Sequence, residues 1–287
     1  MKEGLGFVKM NPSGNTTLLI TDPVARDRQL PLALVLATPE YLAVDQVGFL
    51  EKPEDAGAEA RLQMMGGEFC GNASRALAAY LLQGKGGVTR GSVILEVSGS
   101  DTLVEAFVEK RTEGCWWTEV AVPVPRTVRT QRIPLGNEMV EAVYVELPGI
   151  DHLVLEGIEP SRATFEYLER NGYLPHNAEA RGVMFWNRAA RTLTPLVAVG
   201  ASDPVREGSC GSGSIAVATA LAMADRTSIR DLQLHQPGGE LLVTAEYGSG
   251  GITRALIKGT VDMIATGRVS VPAHDSFPAG SYTRRER

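Results

Sequence analysis

Two stretches decide how this chain is read: Glu68-Phe69-Cys70-Gly71-Asn72-Ala73-Ser74 and Glu207-Gly208-Ser209-Cys210-Gly211-Ser212-Gly213-Ser214. Both run Glu, a short gap, Cys-Gly-x-x-Ser, and then a run of small and apolar residues. The first run is GNASRALAAYLLQ over residues 71–83, and the second is SGSIAVATALAMA over 212–224. Each predicts a helix that is apolar nearly all round, hence one buried inside the fold. The cysteines stand 140 residues apart in a chain of 287, close to half its length. That spacing predicts an internal duplication, with two halves that each wrap a set of strands around one buried helix.

Working outward, most of the remaining chain reads as strands. Short apolar or alternating runs bounded by Gly, Pro or Asp cover residues 17–21, 33–37, 46–50, 60–65, 92–97, 103–108 and 116–122. A second series covers 142–147, 183–186, 192–199, 232–235, 241–247, 254–258 and 261–271. A third, amphipathic helix is expected over 160–171, with Phe165 and Leu168 on one face. Pro123, Pro125 and Pro134 lie between the two strand series and put the domain junction within 123–136.

The bulk composition excludes several classes. Hydrophobic residues make up 44% and charged residues 22%, which argues against a disordered chain. The net charge is −6 and no basic face is visible, so no nucleic acid is expected as a partner. The longest apolar runs, such as 32–37 and 196–199, are too short to span a bilayer, so no membrane is expected either. The start of the chain shows no targeting pattern. Three widely spaced cysteines form a poor disulfide framework and a poor metal site, so the cytoplasm is the expected compartment. The four histidines, His152, His176, His235 and His274, are dispersed, and no metal site is expected from them.

The chemistry of the repeat follows from its position. The first N–H groups of a helix lack intrahelical partners and carry partial positive charge. A thiolate there is stabilised, so its pKa is expected to fall. A carboxylate can also be held there by backbone N–H groups, and glycine after each Cys lets a ligand approach closely. Two facing sites would put a thiol on each side of one carboxylate-bearing carbon. One thiolate could take the α-proton while the opposite thiol returns one to the other face, which is racemisation without a cofactor. Two rivals stay open. Gly211-Ser212-Gly213-Ser214-Ile215-Ala216 matches a G-x-G-x-x-A dinucleotide pattern with Asp231 some twenty residues on, although the preceding strand ends too early for a tight strand–turn–helix. A thiol redox protein is the other, although the cysteines are not in C-x-x-C. Cys115, beside Trp116 and Trp117, reads as a buried small hydrophobe.

Phe69-Cys70-Gly71-Asn72 and Ser209-Cys210-Gly211-Ser212-Gly213 resemble the two cysteine motifs of the diaminopimelate epimerase superfamily. Met10-Asn11-Pro12-Ser13-Gly14-Asn15-Thr16 resembles its N-terminal Gly-Asn motif, and Asp45-Gln46 and Asp151-His152 follow in matching order. The resemblance implies an α/β (α+β) fold of two pseudo-symmetric halves, each a curled, mostly antiparallel sheet or barrel around a central helix. It puts residues 1–130 and about 268–287 in the half carrying Cys70, and 131–267 in the half carrying Cys210. It implies acid–base roles for Cys70 and Cys210, and α-carboxylate binding by Gly71, Asn72, Gly211 and Ser212. Asn15 and Gln46 would lie near the α-amino group or the reacting carbon, His152 would support the thiols, and Glu68 and Glu207 would tune them. No cofactor is implied, the partner is a small amino-acid substrate, and a homodimer is compatible with this reading.

The sequence also departs from the epimerases. Ala73-Ser74 follows Gly71-Asn72 where they have a further glycine. Ala201-Ser202 stand where they have Glu-Arg, unless a gap moves the match to Arg206-Glu207 in the opposite order. Gly182 replaces an asparagine. The reacting-centre motifs persist and the distal contacts are altered, a combination that resembles the histidine racemases of staphylopine-type metallophore pathways. Diaminopimelate epimerase, or another racemase of the same fold, remains the alternative.

Overall fold

The computed structural model describes residues 2–174, 180–200 and 203–272. His176, His274 and Ala201-Ser202 lie outside the described residues. The chain divides into two compact units: one takes residues up to Val120 and those from Gly259 on, and the other takes Ala121–Lys258. Both crossings come earlier in the chain than the 130 and 268 expected from sequence.

The first unit contains β1 (Lys2–Pro12), β2 (Thr17–Ile20), α1 (Arg26–Leu36), β3 (Gln46–Glu51), β4 (Ala60–Met64), α2 (Gly71–Gly84), β5 (Arg90–Val97), β6 (Val104–Thr112) and β7 (Cys115–Val122). The second contains β8 (Thr127–Leu135), β9 (Glu138–Leu147), β10 (Ile150–Glu156), α3 (Arg162–Arg170), β11 (Ala180–Asn187), β12 (Thr192–Val199), β13 (Val205–Arg206), α4 (Gly211–Asp225), β14 (Ile229–Gln236) and β15 (Gly239–Gly248). The last strand, β16 (Gly251–Pro272), serves both. Its residues up to Lys258 pair with β15, and those from Val261 pair with β1. In the first unit the order β1-β2-β3-β4-β5-β6-β7-β16 is closed by the β1–β16 pairing, giving a barrel of eight strands.

The duplication is visible in the strand pairing. In the first unit, β1–β2 is antiparallel, β2–β3 parallel across α1, β3–β4 antiparallel, β4–β5 parallel across α2, and β5–β6 antiparallel. In the second, β9–β10 is antiparallel, β10–β11 parallel across α3, β11–β12 antiparallel, β12–β14 parallel across α4, and β14–β15 antiparallel. A parallel pair needs a crossover, and each crossover here carries a helix. The long crossover helices α2 and α4 are the two that begin at Cys-Gly. Each packs against strands of its own unit, α2 on β1, β2, β4, β5 and β6, and α4 on β9, β10, β11, β14 and β15. Both are buried nearly all round, as their composition predicts.

Three expectations are corrected. Residues 33–37 belong to helix α1 and not to a strand. Gln29, Leu32, Ala33 and Leu36 are spaced i, i+3, i+4, i+7 and are buried, the three apolar ones in a cluster with Val47 and Phe49 of β3, and that packing holds a helix that has no side-chain cap and contains Pro31. The span 123–136, read as a junction, contains β8, whose register with β9 runs from Thr127↔Glu146 to Leu135↔Glu138. The runs 254–258 and 261–271 are one strand. β1 and β10 went unpredicted. Helix α3 is capped by Ser161, whose hydroxyl accepts from Thr164 N at 3.0 Å, and it buries Phe165 and Leu168 as expected.

One turn fixes the entry to α2. The Ser98 hydroxyl accepts from Met64 N at 2.9 Å and donates to Glu68 O at 2.9 Å. Next to it Gly99 has φ +72°, and a Cβ there would run into the backbone of Glu68 and Phe69. Gly99→Ala is expected to lower stability by about 1–3 kcal/mol and to displace the chain leading into Cys70. Thermal denaturation checks this, and an unchanged Tm would refute it.

Candidate functional site

In the first unit, Cys70 is the N-cap of α2, in extended backbone. Its sulfur accepts from Ala73 N at 3.4 Å, and its S–H donates to Gln46 Oε1 at 3.0 Å. Gln46 opens β3, and its Nε2 donates to Thr17 Oγ1 at 3.0 Å. Thr17 Oγ1 in turn donates to Asn15 O at 3.2 Å. A hydrogen-bonded run therefore ties the Gly-Asn turn, β2, β3 and the head of α2 to one another. Asn72 is 2% exposed, and its Oδ1 accepts from Arg75 Nη1 at 3.1 Å. Gly71 begins the helix.

In the second unit, Cys210 is the N-cap of α4. Its sulfur lies 3.5 Å from Ser212 Oγ, which shares a 2.8 Å hydrogen bond with His152 Nε2. The thiol also hydrogen-bonds the Glu207 carboxylate. His152 projects from β10 and is fully buried. Its other ring nitrogen faces Gly182, where a Cβ would stand only 2.7 Å from Nδ1 and 2.8 Å from Met184 Cε. A side chain at 182 would therefore collide with an imidazole and a methionine. Arg206, the other candidate distal contact, is exposed on β13.

Burial decides the electrostatics. The helix N–H groups do favour each thiolate, as the sequence predicts, but desolvation outweighs them. Burial first, then the Glu68 charge, pushes Cys70 up to about 12 against the helix N–H bonds. Burial, then the Glu207 charge, pushes Cys210 well above the ordinary thiol range. The expected fall in pKa is therefore reversed. Glu68 and Glu207 do act on the thiols, in the direction that keeps them protonated. Burial also lowers His152 to about 3, so its imidazole is neutral at neutral pH.

Sequence reasoning missed several supporting residues. Gln236, from β14, accepts from Cys210 N at 2.8 Å and donates to Ser214 Oγ at 3.0 Å. The Ser74 and Ser214 hydroxyls donate to the carbonyls of Cys70 and Cys210 at 2.8 and 2.7 Å. The Ser of Cys-Gly-x-x-Ser was visible in the repeat, and its role is this back-bond across one helical turn. Arg75, which no motif singles out, is fully buried. All three cysteines are free thiols. Among the described residues no cluster of His, Cys, Asp or Glu is arranged to hold a metal ion, and no helix is long and apolar enough to cross a membrane.

The sequence model described as "Histidine racemase CntK N-terminal domain" matches residues 4–270. The chain belongs to the histidine racemase family. It is 27% identical over 275 residues to the histidine racemase of Staphylococcus aureus, covering 94% of this chain and 99% of that one. It is 29% identical over 279 residues to the histidine racemase of Fusobacterium nucleatum, covering 93% and 97%. Its fold matches a hydroxyproline epimerase from Agrobacterium vitis, solved with trans-4-hydroxy-L-proline, with a TM-score of 0.70 at 14% identity over 93% of each chain. The protein is an isomerase, an amino-acid racemase built on two pseudo-symmetric halves.

The buried histidine has a pH signature. Its pKa in the folded chain, about 3, lies below its ordinary 6.5, so between these values the unfolded chain takes up the proton first. This contribution to stability is complete above pH 6.5 and is lost as pH falls toward 3. The Tm of the wild type is therefore expected to fall more steeply with acidification than that of His152→Gln. Parallel slopes would contradict this assignment.

Proposed function

We propose that the protein interconverts L-histidine and D-histidine, with Cys70 and Cys210 as a two-base pair acting on opposite faces of Cα. The observation that carries this reading is the duplication: the same thiol caps the same buried crossover helix in each unit. In one direction the thiolate of one cysteine takes the α-proton, and the electron pair left on Cα delocalises into the carboxylate. The other cysteine, as thiol, donates its proton to the opposite face. Turnover leaves the two protonation states exchanged, which suits an enzyme that works in both directions. Backbone N–H groups at Gly71, Asn72, Gly211 and Ser212 would hold the α-carboxylate and take up the developing charge. Asn15 and Gln46 would face the α-amino group.

The supporting groups divide the work differently in the two units. Gln46 accepts from the Cys70 thiol. Glu207 accepts from the Cys210 thiol, while Ser212 connects that sulfur to the neutral imidazole of His152. The thiols are held protonated by burial, so a substrate that brings its ammonium group close would help release a thiolate on arrival.

Histidine is favoured over diaminopimelate by the distal side of the site. The space a polar side chain at 182 would need is taken by His152 and Met184, and Arg206 faces solvent. A site without hydrogen-bonding partners for a second amino-acid head has no means of selecting one. The names of the relatives point to the same substrate. On this reading the enzyme needs no pyridoxal phosphate, metal or nicotinamide. It works where thiols stay reduced, as in the cytoplasm, and supplies D-histidine for metallophore biosynthesis.

The test is racemisation of L-histidine in deuterated water with no cofactor added. Loss of optical rotation with deuterium entering Cα is expected, and Cys70→Ser and Cys210→Ser should each cut the rate by about 10²–10⁴-fold. Near wild-type racemisation in either variant would refute the pairing. Efficient turnover of meso-diaminopimelate with none of histidine would restore the epimerase reading.

A further inference from the structure

Arg75 is a fully buried cation with neutral partners. It lies in the second turn of α2, five residues after Cys70, with no exposed surface. Its Nε donates to Thr118 Oγ1 at 2.9 Å, and its Nη1 donates to Asn72 Oδ1 at 3.1 Å. Its Nη2 donates to Ser13 Oγ at 3.0 Å and to Thr260 O at 2.7 Å. Among the described residues no carboxylate pairs with it, although ion pairs are made by arginines elsewhere, such as Arg26 with Glu51 and Arg188 with Glu156. An arginine is almost never fully buried unless an anion accompanies it, because hydroxyls and carbonyls satisfy its N–H groups but not its charge.

We propose that the anion belonging to Arg75 is the thiolate of Cys70, which makes Arg75 the positioning residue that lets this thiol ionise inside the barrel. The proposal rests on the two-thiol reading. Several observations converge on it. Cys70 is the one charge-bearing group that acts electrostatically on Arg75. The two are joined through the head of the helix, since Arg75 holds the Asn72 amide by its oxygen and Asn72 N–H lies against the Cys70 sulfur. The guanidinium is anchored from β7, through Thr118, and from β16, through Thr260, so it cannot swing away to solvent. Burial is the largest influence on both groups and works against both charges, leaving Arg75 lowered to about 9 and Cys70 raised to about 12. Each charge offsets the cost of the other when both form together. The Glu68 charge opposes ionisation of Cys70, and on this proposal Arg75 promotes it. The second unit has no counterpart: the residue four beyond Gly211 is Ile215, and Cys210 has Glu207, Ser212 and His152 around it instead.

The test uses the full chain with Cys115→Ser and Cys210→Ser, so that Cys70 is the one thiol left. The rate of alkylation by iodoacetamide is followed against pH, since only the thiolate reacts. Arg75→Lys, which keeps the charge, is expected to keep the midpoint. Arg75→Gln, which keeps hydrogen bonding but not charge, is expected to raise it by about one unit or more, a tenfold or greater loss of rate at fixed alkaline pH below the midpoint. A folded Arg75→Gln chain with an unmoved midpoint would overturn the proposal. If that variant does not fold, the chain with Arg75 in place decides: its Nε–H resonance should move as Cys70 titrates and stay fixed in the Cys70→Ser chain, and a resonance indifferent to Cys70 would overturn the proposal equally. Failure of the two-thiol reading is separate, because it would show as racemisation surviving Cys70→Ser whatever the alkylation profile.

Discussion

A thiol at the head of a buried helix is pulled in two directions. The unpaired N–H groups of the first turn favour its thiolate, whereas the apolar surroundings that bury the helix favour the neutral thiol. In both units burial prevails, and it does so because α2 and α4 are each packed against several strands of their own unit. Much of the polar architecture can be understood as a response to that balance. Amides, hydroxyls and carboxylates gather at the two sulfurs, while the serine four residues on locks the cysteine carbonyl and with it the first turn.

The two copies meet the same constraint with different side chains. At Cys70 the neighbours are a neutral amide, Gln46, the charge of Glu68 and a cation one turn along the helix, Arg75. At Cys210 they are an acid, Glu207, and a hydroxyl backed by a neutral imidazole. The two units otherwise follow the same series of strand pairings.

Much of this organisation is legible in the sequence. The Cys-Gly-x-x-Ser repeat announces the duplication, and its following residues announce two buried helices whose ends fall within a residue or two of those expected. The alternating runs mark most of the strands, and the thiol pair itself follows from residue type and position. Helix α1 was hidden because Pro31 and the run Leu32-Ala33-Leu34-Val35-Leu36 are locally as good a strand as a helix, and only packing on β3 distinguishes them. The strand β8 was hidden because its alternation is weak, with charged residues on its exposed face, and because prolines flank it.

What the sequence by itself determined, then, is whatever depends on periodicity and on residues close together in the chain: the repeat, the helix heads and the cysteine that stands at each. What the tertiary structure decided is whatever depends on which distant residues share an environment. His152 and Ser212 are 60 residues apart, and Arg75 and Thr260 are 185 apart, yet each pair is in hydrogen-bond contact. The direction of the thiol pKa belongs to this second class, and there the local expectation is reversed. A helix terminus acts through its own first turn, which the sequence shows. Desolvation is the sum over everything packed around a group, and no local pattern records it.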